Sequence, residues 1–335
     1  MDKQSNYRKL FDDFNKLTIL IIGDVMVDSY LWGKVERISP EAPIPVVALK
    51  KREDRMGGAA NVAMNIRSMG AKPVLCSVIG EDVKGKNFLD LLKKEKIPVY
   101  GILQSAQRIT TTKFRIFGNN TQMLRVDEEV EDDLSDNDNA RLFSIIEKIL
   151  LKEKIDGIIF QDYNKGVISQ LLIEDVIDLA TDLKIPVSVD PKKKNFYNFY
   201  GVTLFKPNLK EMKEGMKLEF DNNDRDKLLE AARSLREALN CRYILATLSE
   251  QGVMLNMKDT LEEKNIFIPA HVRSISDVSG AGDTVISTAA LCLALRCSPY
   301  EIAYISDLAG GLVCEEVGVV PVNKDKLLKE VLALL

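Results

Sequence analysis

Short apolar runs rich in β-branched residues alternate along this chain with longer segments whose apolar residues recur every three or four positions. The first pattern predicts buried strands and the second predicts amphipathic helices. We predict strands at residues 18–22, 74–78, 157–160, 186–189, 243–246 and 252–255. We predict helices at residues 59–69, 84–94, 139–151, 170–183 and 225–239. This alternation predicts an α/β protein, with three αβα layers around a mostly parallel central sheet.

Two regions depart from that alternation. Residues 30–50 and 110–126 each predict a pair of strands, joined by a proline-rich turn in the first region and by Gly118-Asn119-Asn120 in the second. Neither pair contains a crossover helix. We therefore predict a small β-sheet inserted in the main domain, which projects from the sheet edge as a lid.

Composition narrows the classes of protein that fit. With 335 residues and a net charge of −4, the chain is expected to form a single domain over residues 1–335 without a broad surface for nucleic acid. Five cysteines without a C-x-x-C pair indicate neither a disulfide framework nor a zinc site. No apolar run reaches the roughly 20 residues of a membrane span, and the N-terminus is too charged for a signal peptide. We expect a cytoplasmic protein with no membrane partner.

The strongest candidate for catalysis is the run Ser279-Gly280-Ala281-Gly282-Asp283, which opens a helical segment. Glycines let backbone N–H groups approach an anion, and a helix N-terminus adds partial positive charge. Asp283 stands where it could accept a proton. This arrangement suits phosphoryl transfer, in which positioning and charge stabilisation supply most of the catalysis.

Two further segments are candidates for ligand contact. Asp24 ends the first predicted strand, where α/β sheets bind ligands, and Asp28 follows closely; a turn with a helix-capping aspartate explains the pair equally well. Gly57 and Gly58 precede a helix in which Asn61 offers both a donor and an acceptor. A tight packing turn is the alternative explanation for the two glycines.

Charged residues near other strand ends have two interpretations each. Asn208 and Glu211 could hold hydrated Mg²⁺ beside phosphates, or they could form a helix capping box. Asp190 with Lys192 could meet a hydroxyl and a phosphate, or the lysine could belong to a solvated charge run. Lys113 and Arg115 share one face of a predicted lid strand and could clamp a phosphate together, or they could likewise be solvated surface charges.

As an ordered set, these motifs resemble the ribokinase-like (PfkB) family of carbohydrate kinases. The similar motifs are Gly23-Asp24, Gly57-Gly58-Ala59-Ala60-Asn61, Asn208 with Glu211, and Gly280-Ala281-Gly282-Asp283, and they cover nearly the whole chain. Within the family, the sequence is most similar to the D-glycero-β-D-manno-heptose-7-phosphate kinases. The runs that carry this similarity are residues 37–46, 110–113, 162–166 and 249–252.

The resemblance implies an enzyme that uses ATP and Mg²⁺ to phosphorylate the 1-hydroxyl of the heptose 7-phosphate, on the route to ADP-heptose and lipopolysaccharide. It implies that Asp283 deprotonates the hydroxyl and that the backbone at 279–282 binds the transferred phosphoryl group. Sugar would lie against Asp24 and Asn61. Nucleotide and metal would lie against six residues of the C-terminal half: Asn208, Glu211, Thr247, Ser249, Gly252 and Ser279.

The resemblance also implies homodimers that meet through their lid sheets. Bifunctional relatives carry an additional adenylyltransferase domain, which we do not expect in a chain of this length with one histidine. Two alternatives remain: another sugar kinase of the same fold, acting on ribose, fructose or a hexose phosphate, and a non-catalytic sugar- or nucleotide-sensing module. Asp283 argues against the sensing module, since a sensor needs no base.

Overall fold

The computed structural model describes residues 3–258, 262–271 and 273–333. Its strands are β1 (Thr18–Gly23), β2 (Val25–Ile38), β3 (Pro45–Gly58), β4 (Lys72–Gly80), β5 (Ile102–Ser105), β6 (Thr112–Gly118), β7 (Thr121–Glu128), β8 (Gly157–Gln161), β9 (Val187–Asp190), β10 (Leu204–Phe205), β11 (Tyr243–Thr247), β12 (Val253–Lys258) and β13 (Glu263–Ile268). Its helices are α1 (Lys3–Phe14), α2 (Ala59–Ser68), α3 (Val83–Lys94), α4 (Asp136–Lys152), α5 (Gln170–Asp182), α6 (Leu209–Met216), α7 (Arg225–Ala238), α8 (Ala281–Ala294), α9 (Pro299–Val313) and α10 (Lys324–Ala333).

The larger sheet has nine strands in the order β13-β12-β11-β10-β9-β8-β1-β4-β5. Pairing is parallel from β11 to β5, whereas β12 and β13 join antiparallel at one edge. Along β1, Ile19 and Ile21 enter one hydrophobic core, while Leu20 and Ile22 enter the other. Alternate residues of a strand face opposite sides of its sheet, so each face of this sheet is covered. The predicted three-layer fold is confirmed.

The smaller sheet has four strands in the order β3-β2-β6-β7. Both predicted strand pairs are antiparallel, and β2 joins them through parallel pairing with β6. The strands β2 and β3 are longer than predicted, because β2 begins at Val25, directly after Asp24, and β3 continues to Gly58. The first strand pair of the small sheet therefore follows β1 directly and leads directly into α2.

Several elements were not predicted. They include the short strand β5, the edge strand β13 and the terminal helices α1 and α10. The strand β5 has only four residues, and β13 begins with the charged pair Glu263-Lys264. These strands form because neighbouring strands pair with them, which a local pattern does not show. No helix within the described ranges is long and apolar enough to cross a membrane.

Candidate active site

The catalytic candidate Asp283 lies in the first turn of α8. The residue before the helix, Gly280, has φ of +82°, and a Cβ there would lie 3.0 Å from Nδ2 of Asn61. Glycine is therefore needed both for the left-handed backbone and for the close approach of α2. At a helix start the first N–H groups lack helical acceptors. The N–H groups of Gly282 and Asp283 accordingly provide positive polarity beside the carboxylate.

Three side chains donate hydrogen bonds to the Asp283 carboxylate. Asn61 donates to Oδ2 at 2.6 Å, and Tyr163 and Gln161 donate to Oδ1 at 2.7 and 3.1 Å. Burial raises the pKa of Asp283 to about 6, although the bonds from Asn61 and Tyr163 work in the opposite direction. Burial and the Asp283 charge raise the pKa of the Tyr163 phenol, which therefore remains a donor. With a pKa of about 6, the Asp283 carboxylate is ionised at neutral pH and becomes protonated in mildly acidic solution.

A buried ion pair adjoins this cluster. Lys206 Nζ lies 3.0 Å from Oδ2 of Asp190, and both side chains are almost fully buried. Gln161 links the pair to Asp283 through a 3.3 Å contact with Oδ2 of Asp190. A Cβ at Gly282 would lie 3.6 Å from Lys206 Nζ. The ammonium group thus lies at the N-terminus of α8, where an anion would be bound.

The predicted sugar ligand Asp24 has a different environment. Its carboxylate accepts backbone N–H bonds from Tyr163 at 2.8 Å, Lys165 at 3.1 Å and Val167 at 3.0 Å. Its own carbonyl accepts the N–H of Ala59 at 2.9 Å. In this structure Asp24 fixes the loop that carries Tyr163, and its contact with sugar stays a prediction.

The predicted ligand Asp28 lies on the lid, where it forms an ion pair with Arg115. The Arg115 guanidinium also lies over the Tyr30 ring, 5.3 Å from the centroid. A Cβ at Gly57 would lie 2.6 Å from Oδ2 of Asp28, so the glycine leaves room for this pair. Lys113 pairs in register with Asp28 and is partly buried. The predicted residues of the lid are therefore close together.

Asn208 and Glu211 form the capping box of α6, with bonds of 2.8 and 2.9 Å. Oε1 of Glu211 also pairs with Lys192. The capping box, which the sequence offered as the alternative to a metal site, is therefore present. A carboxylate has further lone pairs, so it could still accept from the water shell of a metal ion. No cluster of three or more acidic, His or Cys side chains that could hold a metal is found in the described part of the chain.

A cleft of about 940 Å³ runs from the start of α8 to the turn between β11 and β12. Predicted nucleotide residues that line it are Asn208, Thr247, Ser249 and Gly252, with Ala281 and Gly282 at its inner end. Glu211 and Ser279 do not line the cleft; the N–H of Ser279 donates to Asp277 at 2.9 Å. The cleft leads to the N-terminus of α8, which is the geometry required to bring a phosphate chain to Asp283.

Sequence reasoning missed Gln161, Tyr163 and Lys206. Gln161 is the last residue of β8, Tyr163 follows it closely, and Lys206 comes directly after β10. Each therefore lies at the carboxyl end of a parallel strand, where ligand sites form. The same signal, a position at the end of a strand, was therefore present in the sequence for all three residues.

Comparisons with known proteins agree with this geometry. Residues 16–326 match the model of the pfkB family of carbohydrate kinases. The chain is 40% identical over 301 residues to the bifunctional protein HldE of Helicobacter pylori, and 39% identical over 312 residues to that of Methylobacillus flagellatus. These alignments cover 90% and 93% of this chain but only 63% and 62% of the relatives.

Solved structures of low sequence identity share the fold. Phosphofructokinase-2 from Escherichia coli in complex with potassium is 18% identical, with a TM-score of 0.75 over 95% of this chain and 98% of that one. Ribokinase from Arabidopsis thaliana, complexed with ribose and ATP, is 16% identical, with a TM-score of 0.70 over 93% and 98% of the two chains. These structures share the fold, and the match of residues 16–326 to the family model shows that the chain belongs to the PfkB family of carbohydrate kinases.

Proposed function

We propose that this kinase transfers the terminal phosphoryl group of ATP to the 1-hydroxyl of D-glycero-β-D-manno-heptose 7-phosphate. The observation that carries the proposal is the buried Asp283 carboxylate beside the open N-terminus of α8. The heptose runs of the sequence and the 40% identity with HldE support this substrate over ribose or fructose.

Asp283 acts as the general base in this proposal. Its ionised carboxylate accepts the proton of the sugar 1-hydroxyl, whose oxygen attacks the γ-phosphorus of ATP. The bond from that phosphorus to the β–γ bridging oxygen breaks, and ADP leaves. Asn61, Gln161 and Tyr163 hold the carboxylate in one orientation through their hydrogen bonds. The N–H groups at the start of α8 and the Lys206 ammonium stabilise the negative charge of the transferred group. The general base and the groups that stabilise the negative charge thus lie close together at the N-terminus of α8.

The nucleotide is proposed to occupy the cleft lined by Asn208, Thr247, Ser249 and Gly252. Asn208 and Glu211 fit a hydrated Mg²⁺, since their capping box leaves carboxylate lone pairs available for water. The ion would supply charge neutralisation on the phosphates. Lys192, which now pairs with Glu211, is placed to exchange that partner for a phosphate.

The sugar phosphate is proposed to bind under the lid. Arg115 uses one nitrogen for Asp28 and retains donors for a phosphate, and Lys113 lies on the same face of β6. Asp24 keeps the loop at Tyr163 in place, while Asp28 and Asn61 offer polar groups to the sugar hydroxyls. Closure of the lid would exclude water, so phosphoryl transfer to the sugar would be favoured over hydrolysis of ATP.

The other face of the lid is proposed to form a homodimer. Leu31, Ile116 and Leu124 are in register on this face, and the exposed fraction of Leu124 is 55%. Leu49, on the neighbouring strand, is 56% exposed. Exposed apolar side chains that are adjacent on a sheet are typical of an interface. Sedimentation of wild-type protein and of Leu124→Lys should show a dimer and a monomer, respectively.

The substrate is tested by measuring ADP release with Mg-ATP and five sugars: β-heptose 7-phosphate, its α anomer, ribose, fructose and fructose 6-phosphate. ³¹P NMR identifies the product. We expect turnover with the β-heptose phosphate and a new resonance for an anomeric phosphate. Turnover with one of the other sugars and not with the heptose phosphate would contradict the proposed substrate. It would leave the proposed role of Asp283 as the base unchanged. Binding of sugar without turnover on any of the five would instead favour the sensing module.

A further inference from the structure

Two cysteines lie at the C-terminal end of α8, the end opposite Asp283. The N–H of Cys297 donates to the carbonyl of Cys292 at 3.0 Å, and the N–H of Arg296 donates to that of Leu293 at 2.9 Å. Arg296 is left-handed, with φ of +56°. These two bonds around a left-handed residue define a Schellman motif, in which the side chains at the positions of Cys292 and Cys297 meet. The end of the helix therefore brings the two cysteine side chains together.

The two thiols are in contact but differ in exposure. A hydrogen bond with the Cys297 thiol, followed by burial, raises the pKa of the Cys292 thiol. Cys292 is fully buried, whereas Cys297 is partly exposed. One thiol is therefore accessible to a small reagent, and the second lies directly behind it.

Cys297 lines a cleft of about 710 Å³ at the end of the sheet remote from the active site. Lys184, Arg242 and Arg296 line the same cleft. The acid of this cleft, Asp156, is engaged by Lys154 at 2.7 Å and by the N–H of Thr18 at 2.9 Å. The cleft thus opens the Cys297 thiol to small reagents from solvent.

We propose that Cys292 and Cys297 form a redox-sensitive site, which a hydroperoxide converts reversibly to a disulfide. The Cys297 thiolate attacks one peroxide oxygen, which breaks the O–O bond and gives a sulfenic acid with release of water after protonation. The Cys292 thiol then loses its proton and attacks the Cys297 sulfur, so that the S–S bond forms, the S–O bond breaks and a second water leaves. The two thiols lose two electrons, and hydrogen peroxide is reduced to two waters.

The other cysteines provide internal controls. Cys76 and Cys241 are both buried, so neither offers a thiol that the peroxide can reach first from solvent. Cys314 is partly exposed, like Cys297, but it lines the cleft at the active site. Cys314→Ser therefore matches Cys297→Ser in exposure and removes a thiol at the other end of the molecule.

The proposal is tested by treating the purified chain with hydrogen peroxide, alkylating the remaining thiols and mapping the peptides by mass spectrometry. We expect a Cys292–Cys297 disulfide, a mass loss of about 2 Da that dithiothreitol reverses, and two fewer free thiols. The disulfide should persist in Cys314→Ser and be absent from Cys297→Ser, whose partly exposed position should leave the fold intact by circular dichroism. Oxidation of folded wild type that ends in a sulfinic acid at Cys297, or leaves both thiols free, would overturn the proposal.

Discussion

The surroundings of Asp24 and of Asp283 show two uses of a buried aspartate in one molecule. Burial raises the pKa of both carboxyl groups. Asp24 is held by backbone N–H groups of a single loop, whereas Asp283 is held by side chains from α2, from the end of β8 and from the loop after β8. Backbone donors fix the path of a loop; side-chain donors orient a group and can adjust as its charge changes. We therefore propose that the source of the hydrogen bonds separates a structural acid, Asp24, from a reactive one, Asp283.

The largest effect is expected from Asp283→Asn. The amide cannot accept a proton, so turnover should fall by about 10²–10⁴-fold, the usual scale for loss of a general base. Sugar binding, measured by calorimetry, should change little. Asp138→Asn is the matched control, because Asp138 is also buried and hydrogen-bonded but lies in the first turn of α4. Near-wild-type turnover in Asp283→Asn would show that Asp283 is not the general base.

Asp24→Asn should act on stability. An amide presents only one acceptor oxygen to three backbone donors, so at least one N–H would lose its partner. We expect the free energy of unfolding in urea to fall by about 2–4 kcal/mol. Asp283→Asn, measured in parallel, should lose much less. Equal losses in the two variants would erase the distinction between the two acids.

Arg115→Ala tests the ion pair of Asp28, an acid whose partner is a side-chain cation rather than backbone N–H groups. Loss of a charge-assisted contact should raise the Michaelis constant for the sugar phosphate by about 10- to 100-fold, with a smaller change in turnover. Lys34→Ala is the control, since Lys34 lies on the same strand as Asp28 but is exposed and near the lid tip. A Michaelis constant unaffected by Arg115→Ala would exclude Arg115 from the clamp.

The smallest effect is expected from Tyr163→Phe. The phenol donates at 2.7 Å to Asp283 and so lowers the pKa of the carboxyl group. Its removal should move the acidic limb of the pH–rate profile to higher pH and leave the plateau rate nearly unchanged. A limb that moved to lower pH would have the wrong sign for this hydrogen bond.

The comparison also shows what the sequence could predict. Alternating strands and helices predicted the sheet, and the glycines before Asp283 predicted a helix start, because both signals are local. The contacts of Asp283 with Asn61, Gln161 and Tyr163 join residues that are far apart in the chain. Such contacts depend on which strand ends are neighbours, and the strand order is a property of the whole sheet.

The roles of Asp24 and Glu211 were ambiguous in the sequence for a related reason. Each is an acid at a strand end or helix start, a position that suits ligand binding and local capping equally well. The structure shows backbone partners for Asp24 and the capping box for Glu211. Whether those groups also meet sugar or metal depends on bound species, and the sequence pattern is the same in both cases.

The measurement that tests the central claim most directly is the pH dependence of kcat, at saturating sugar phosphate and Mg-ATP, for wild type and Asp283→Asn. The ratio kcat/KM would also report the phosphate of the free sugar, whose second pKa is about 6. The pKa of Asp283 is raised to about 6. Below that pH the carboxyl is protonated and cannot act as a base, so wild-type activity should be full above it and fall as the pH drops through about 6. The residual activity of Asp283→Asn should lack this limb. Asp162, whose pKa burial also raises to about 6, would be the titrating group if the same limb persisted in Asp283→Asn, and that result would contradict the assignment of Asp283 as the base.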